Sequence, residues 1–252
     1  MCNLMNNINN CFLAGAFASA LFTMPLQAQE QNFPGLEKDP LVFYGVSFEQ
    51  LEYRFGDDDD LWAWHGDAFV GTDEWKFRVQ SEGEYVKGPD IFETLENQIM
   101  VQRLMSDFFD AKVGVRLDTP DEGPDRTYAI LGFHGLAPQW YEVDADLFIS
   151  ENGDVSARLD VDYELLITNR IILTPAAEIN VAFSDDEEIG IGSGLTDVEL
   201  GLRISYDLIE RDVAPYIGVH YERKFGKTAD FAEAEGEDDD ELFIVAGIRL
   251  MF

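Results

Sequence analysis

Apolar and polar residues alternate along most of the chain with a period of two. The segment 139–150, for example, alternates aromatic and aliphatic side chains with Glu142 and Asp144. An alternation of this length predicts a β-strand with one apolar and one polar face, because successive side chains of a strand point to opposite sides. The same pattern continues through residues 154–166 and 196–208.

The period-two pattern predicts about twelve strands separated by turn-forming or acidic connections. We place them at residues 43–55, 61–70, 74–82, 92–105, 108–117, 126–136, 139–150, 154–166, 170–183, 195–209, 213–225 and 241–252.

The connections between these strands alternate in length. Short ones, such as 71–73 and 106–107, follow every second strand, and longer or more acidic ones, such as 83–91 and 184–194, follow the others. The connection 151–153 is short and departs from this rule. Short turns at one end, long loops at the other and an even number of strands are typical of an outer-membrane β-barrel. The chain also stops at an aromatic residue on an amphipathic strand, as such barrels do.

A soluble β-sandwich or lipocalin-like barrel would show the same alternation, with the apolar face packed inward. Two features favour the membrane barrel: charges of both signs on nearly every polar face, and aromatic residues near the strand ends of the apolar faces, which resemble interfacial girdles. These aromatic residues are Trp62, Trp64, Trp75, Phe77, Tyr141, Tyr206, Tyr221 and Phe225. The sequence therefore predicts an all-β, antiparallel transmembrane barrel, with the soluble β fold as the alternative.

The first 28 residues carry no charged side chain and contain an apolar stretch, 11–24. This stretch and the small residues before position 29 predict a secretory signal peptide that is cleaved after Ala28. Residues 29–40 then form a short periplasmic segment and 41–252 the barrel. Both cysteines lie in the leader, so the mature chain is predicted to have no disulfide, thiolate metal site or cysteine nucleophile.

The formal net charge of −33 changes the functional picture. Such a charge argues against nucleic acid as a partner, because phosphates would be repelled. The acidic connections 57–60, 185–188 and 237–241 predict either a rim that attracts cations or simply solvated loops. Their spacing matches no complete calcium-binding loop.

Several runs of sequence together carry a family resemblance. They are Gly135–Ala145, Ser156–Leu159, Tyr163–Leu166, Gly190–Leu195, Glu199–Arg203, Ala214–Val219, Glu222–Gly226, Thr228–Phe231 and Ala234–Asp238. Over roughly residues 40–252 the chain resembles the barrel domain of the copper-resistance protein B family. The resemblance implies an outer-membrane protein of the bacterial cell that binds copper or passes it across that membrane, and it does not imply an enzyme. It implies that copper is a bound or transported ion rather than a catalytic cofactor.

One departure from the family pattern concerns the segment before the barrel. Members of the family commonly carry a stretch rich in Met and His there, whereas residues 29–40 contain neither. The resemblance therefore implies that the barrel handles copper alone or with a separate periplasmic partner. A multicopper oxidase or a copper chaperone is the partner expected at the family level.

Because successive side chains of a strand alternate between its two faces, the three histidines of the mature chain are predicted to lie on the polar, lumen-facing side. Imidazole and carboxylate suit Cu(II), and thioethers suit Cu(I). The alternative is a network of ion pairs and hydrogen bonds that fills the lumen without metal, because a barrel of this size has little empty space. The candidate ligands are His65, Asp67, Met100, His134, Glu142, Asp144, His220 and Glu222.

Two other functions compete with copper handling. An outer-membrane phospholipase needs a serine and a histidine on one outer face, but the histidines here map inward. A general acidic cation-selective pore, or a structural barrel without metal specificity, fits the barrel sequence equally well. Only the family resemblance favours copper over that pore.

Overall fold

The computed structural model describes residues 41–56, 59–209 and 211–252, which are built almost entirely of antiparallel strands. The predicted leader and the segment 29–40 lie outside the described residues, as do Asp57 and Asp58 of the first acidic loop. The strands are β1 Phe43–Phe55, β2 Leu61–Gly71, β3 Trp75–Val86, β4 Ile91–Leu104, β5 Phe109–Asp118, β6 Arg126–Ala137, β7 Tyr141–Ser150, β8 Val155–Asp162, β9 Leu165–Leu166, β10 Ile171–Ala182, β11 Gly194–Tyr206, β12 Val213–Lys224 and β13 Asp240–Met251.

The sheet closes on itself into a barrel. Each strand pairs with the next along the chain, and β13 pairs with β1, where Ser47 lies opposite Met251. Segments β8 and β9 both pair with β10 and are two parts of one barrel strand. The barrel therefore has twelve strands, and the predicted all-β, antiparallel barrel is confirmed.

The observed elements differ from the predicted ones in several places. A 3-10 turn, Glu187–Ile189, lies in the predicted loop 184–194, and β11 ends at Tyr206, three residues before the predicted end. β3 continues to Val86, four residues beyond the predicted end. The connection 226–240, predicted as a loop, contains the helix α1, Gly226–Glu235. The helix ends at Gly236, whose φ of 94° lets its N–H reach the carbonyl of Ala232. No side-chain cap marks its start, which is why the sequence did not show it.

The barrel is apolar outside and polar inside. Val113 and Leu131 on the outer face are 54% and 50% exposed, whereas Glu52 and Glu96 inside are 0% and 2% exposed. A soluble protein has the opposite arrangement, so the soluble β fold is excluded and the outer face is suited to lipid. Of the predicted girdle, Trp62, Trp75, Phe77, Tyr141 and Tyr206 are exposed; Trp64, Tyr221 and Phe225 are half-buried.

The two ends of the barrel differ. Short turns such as 138–140 and 167–170 lie at one end together with residue 252, and the longer connections, including α1, lie at the other. In outer-membrane barrels the short turns face the periplasm and the long loops face outward. Within the part of the chain that the structure describes, no helix is long and apolar enough to cross a membrane.

Candidate functional site

The barrel encloses a cavity of about 260 Å³ whose wall is strongly acidic. Ten carboxylates but only five guanidinium groups line it, together with all three histidines of the barrel. An excess of one sign of charge inside low-dielectric walls concentrates ions of the opposite sign. The lumen is therefore suited to cations.

Three of the predicted ligands meet on β6 and β7. His134 lies directly opposite Asp144 in the strand register. Its Nδ1 is 3.3 Å from Oδ2 of Asp144, and its Nε2 is 3.8 Å from Oε1 of Glu142. Lys112 also contacts Asp144, so part of the negative charge of this group is already balanced.

His65 and Asp67 share a face of β2, as predicted, but have separate partners. The Nε2 atom of His65 lies 2.5 Å from the side-chain amide nitrogen of Gln80. Asp67 is buried and forms an ion pair with Arg78. The Asp67 carboxylate is therefore part of the ionic framework of the barrel.

Met100 is surrounded by apolar side chains on the lumen side of β4. Its side chain is 1% exposed and packs in a small apolar cluster with Tyr128, Ile130 and Phe148. A thioether in this position fills space inside the barrel wall.

His220 and Glu222 lie near each other on β12, with His220 Nε2 4.0 Å from Oε2 of Glu222. The nearer carboxylate belongs to Glu199 on β11, whose Oε2 is 3.4 Å from the same nitrogen. Glu199 was not among the predicted ligands.

The sequence reasoning missed a group of three carboxylates beside His220. Glu178, Asp197 and Glu199 each offer an oxygen, and these oxygens lie within 4.8 Å of one another. The polar face of 196–208 did contain Asp197 and Glu199, but only the register of β10 against β11 brings Glu178 opposite Glu199.

The same register produces a longer feature, which we call the acidic ladder. Six carboxylates on six neighbouring barrel strands each lie directly opposite the next one. They are Asp144, Asp160, Glu178, Glu199, Glu222 and Glu241. On the other side of Asp144, the row continues through His134 to Asp110.

The acidic ladder, extended through His134 to Asp110, runs from one end of the barrel to the other. Asp110 is the second residue of β5, next to a short turn, and Glu241 is the second residue of β13, after the long connection with α1. Barrel strands are tilted, so a line drawn perpendicular to them winds along the barrel axis. The extended row therefore joins the predicted periplasmic end to the outer end.

Buried ion pairs hold the lumen together at two points. Glu52 accepts hydrogen bonds from Arg54, Arg203 and Tyr216 at 2.8–2.9 Å. A side chain at Gly247 would meet the Tyr216 hydroxyl at 2.6 Å, so glycine is required beside this network.

Glu96 is the centre of the second network. Its Oε2 lies 2.7 Å from Arg116 and 3.1 Å from Arg158. Arg158 also reaches Glu178 of the acidic ladder, at 3.0 Å, so this network and the ladder share a cation.

The outer rim is also held by polar contacts. Lys227 at the start of α1 donates a hydrogen bond of 2.6 Å to Asp185. This contact lowers the pKa of the Asp185 carboxyl to about 2, and it raises the pKa of Lys227. The contact therefore stabilises the folded loop above the ordinary carboxyl pKa of 3.8 and is lost as the pH falls through about 2. At least part of the acidic loop 185–188 is thus engaged within the protein.

Comparisons with known proteins agree with this architecture. The profile of the family described as copper resistance protein B precursor (CopB) matches residues 42–252. Copper resistance protein B of Escherichia coli is 39% identical over 85% of this chain and 71% of its own length. A copper resistance protein B homolog of Pseudomonas syringae pv. tomato is 37% identical over 81% and 68%. Among solved structures, the NanC porin aligns with a TM-score of 0.52 and 14% identity, over 82% of this chain and 99% of the porin.

Proposed function

The chain belongs to the copper resistance protein B family, and on that premise we propose that its barrel carries copper ions through the outer membrane along the lumen. Its relatives and its porin-like fold make it a copper-resistance protein of the outer membrane. The proposal adds that the barrel binds copper ions and lets them pass through the membrane. In this role copper is cargo, and the chain acts without enzymatic chemistry.

The acidic ladder is the observation that carries the proposal. Like charges that lie directly opposite each other on neighbouring strands destabilise a sheet, yet six carboxylates stand in such a row. A cation that moves along the row relieves this repulsion at each position. Conduction needs several sites that bind an ion well enough to admit it and weakly enough to release it.

The histidines supply the selectivity that carboxylates lack. His134 is part of the row itself, and His220 lies beside Glu199. Imidazole is a good ligand for copper and a poor one for Mg²⁺ or Ca²⁺. At the periplasmic end, we expect copper to be exchanged with a separate protein, for which a multicopper oxidase or a copper chaperone is the family-level candidate.

Copper passage can be measured in lipid vesicles that contain the purified barrel and an entrapped copper-sensitive dye. We expect Cu(II) to enter these vesicles at least about tenfold faster than it enters protein-free vesicles, and faster than Ca²⁺ enters them. Equal entry of Cu(II) and Ca²⁺ would indicate the general cation pore. No entry of copper above the protein-free rate would overturn passage.

We also propose that export removes the first 28 residues. The mass of the protein purified from outer membranes is expected to match a chain that begins at Gln29, because the small residues before that position suit signal peptidase. A mass that includes residues 1–28 would contradict cleavage.

A further inference from the structure

The lumen wall formed by β10, β11 and β12 gathers carboxylates more closely than the rest of the acidic ladder. Glu178 lies directly opposite Glu199, and Asp197 precedes Glu199 by two residues on the same face. One oxygen of each carboxylate lies within 4.8 Å of the others. Such a group is repulsive by itself and shows only that a cation would be stabilised there.

An independent observation is the state of the neighbouring imidazole. His220 is 4% exposed, and its Nε2 lies 3.4 Å from Oε2 of Glu199 and 4.0 Å from Oε2 of Glu222. Among the residues that the structure describes, neither ring nitrogen of His220 has a hydrogen-bond partner. Buried polar atoms are nearly always hydrogen-bonded, and a bound water or ion is one explanation for an exception. The ring is therefore placed as a ligand would be.

The nearest cationic side chain does not balance the cluster. Arg158 contacts Glu178 at 3.0 Å, but it also contacts Glu96 at 3.1 Å and Glu82 at 3.5 Å. One guanidinium shared among three carboxylates leaves most of the negative charge of Glu178, Asp197 and Glu199 without a counter-charge from Arg158.

Neighbouring side chains fix the direction of two carboxylates. Asn180 donates hydrogen bonds of 2.7 Å to both Glu178 and Asp197, and Thr196 donates one of 2.8 Å to Asp197. Hydrogen bonds of this kind orient the ligands in metal sites, and losing one commonly weakens metal binding by about 10–100-fold.

We propose that Glu178, Asp197, Glu199 and His220 form a Cu(II)-binding site in the outer half of the lumen. The inference deepens the proposed function, since it names the oxidation state and the ligands of the ion on the acidic ladder. One imidazole and three carboxylates suit Cu(II), whereas Cu(I) prefers the sulfur ligands that this cluster lacks. Metal–oxygen bonds of about 2.0–2.2 Å place ligand atoms at most about 4.4 Å apart. The three carboxylate oxygens lie within 4.8 Å of one another, and His220 Nε2 lies 3.4 Å from the Glu199 oxygen.

The site can be tested by electron paramagnetic resonance of the mature barrel in detergent with added Cu(II). We expect one tightly bound Cu(II) per barrel, with hyperfine coupling to one nitrogen. His220→Gln is expected to remove that coupling and to weaken Cu(II) binding at least about tenfold. Glu199→Gln is expected to weaken binding while the nitrogen coupling remains.

His65→Gln is the matched control, because His65 lines the same cavity but has Gln80 as a partner. It is expected to leave both the spectrum and the affinity unchanged. Heat-shifted migration on gels confirms that each variant is folded, and Glu199→Gln tests the site if His220→Gln does not assemble. A nitrogen coupling that persists in His220→Gln, or that disappears in His65→Gln, would overturn the proposed site.

Copper flux into vesicles, measured with the same protein preparations, distinguishes the proposed binding site from the proposed passage of copper through the barrel. Flux of copper together with unchanged binding in His220→Gln and Glu199→Gln would overturn the site and support passage. Binding that depends on His220 without any flux of copper would support the site and overturn passage.

Discussion

Replacing Glu52 by alanine is expected to lower the free energy of unfolding of the barrel by about 3–5 kcal/mol, the range found when one partner of a buried ion pair is removed. Glu52 is fully buried and accepts hydrogen bonds from two guanidinium groups and the Tyr216 hydroxyl. Without the carboxylate, Arg54 keeps its ion pair with Glu84 and a long hydrogen bond to Gln50, and Arg203 loses both of its bonds to Glu52.

Unfolding in denaturant, followed by tryptophan fluorescence in detergent or vesicles, measures this loss. Glu52→Gln retains hydrogen-bond acceptors and is expected to lose less stability than Glu52→Ala. The matched control is Glu164→Ala, since Glu164 is partly exposed and pairs with Arg249 and Arg211 near the barrel end. A change of about 1 kcal/mol or less is expected there. Equal losses at Glu52 and Glu164 would show that the buried network does not stabilise the barrel.

Replacing Asp160 by lysine is expected to reduce the copper flux at least about tenfold. Asp160 lies in the acidic ladder between Asp144 and Glu178. Opposed positions on neighbouring strands have Cβ atoms about 4.5–5.5 Å apart. A positive charge about 5 Å from a cation costs about 3 kcal/mol per unit charge at an effective dielectric constant of about 20, and 1.4 kcal/mol already corresponds to a factor of ten.

The vesicle assay with entrapped dye measures this effect. Glu151→Lys makes the same change of charge in the exposed connection between β7 and β8, outside the lumen. It is expected to keep more than half of the flux of the unmodified protein. Asp160→Asn removes the negative charge without adding a positive one and is expected to lie between the two. Copper flux in Asp160→Lys equal to that in Glu151→Lys would exclude the acidic ladder as the path.

The strands could be predicted from the sequence because alternation is a local property of the chain. A side chain in a strand faces lipid or lumen according to its parity, so residues 43–55 and 126–136 could be placed within about one residue of their observed bounds. Helix α1 could not be predicted, because no side-chain cap marks its start and its contacts include residues distant in the chain. Its Thr228 accepts a hydrogen bond from Gly192, which lies 36 residues earlier in the chain.

The candidate site was predicted less completely than the fold. Parity alone placed His65, His134 and His220 inside, and all three line the cavity. Parity gives the face of a residue but not its neighbours on other strands. Thus Asp67, a predicted ligand, pairs with Arg78, whereas Glu178, which was not predicted, lies opposite Glu199.

The sequence by itself determined that this protein is a barrel with a lipid-facing apolar surface and an acidic lumen, because side-chain alternation and charge are fixed residue by residue. Only the tertiary structure decided which acidic groups meet. The offset between neighbouring strands depends on the pairing of all twelve of them, and that offset turns separate carboxylates into the acidic ladder and brings Glu178 and Asp197 together beside His220.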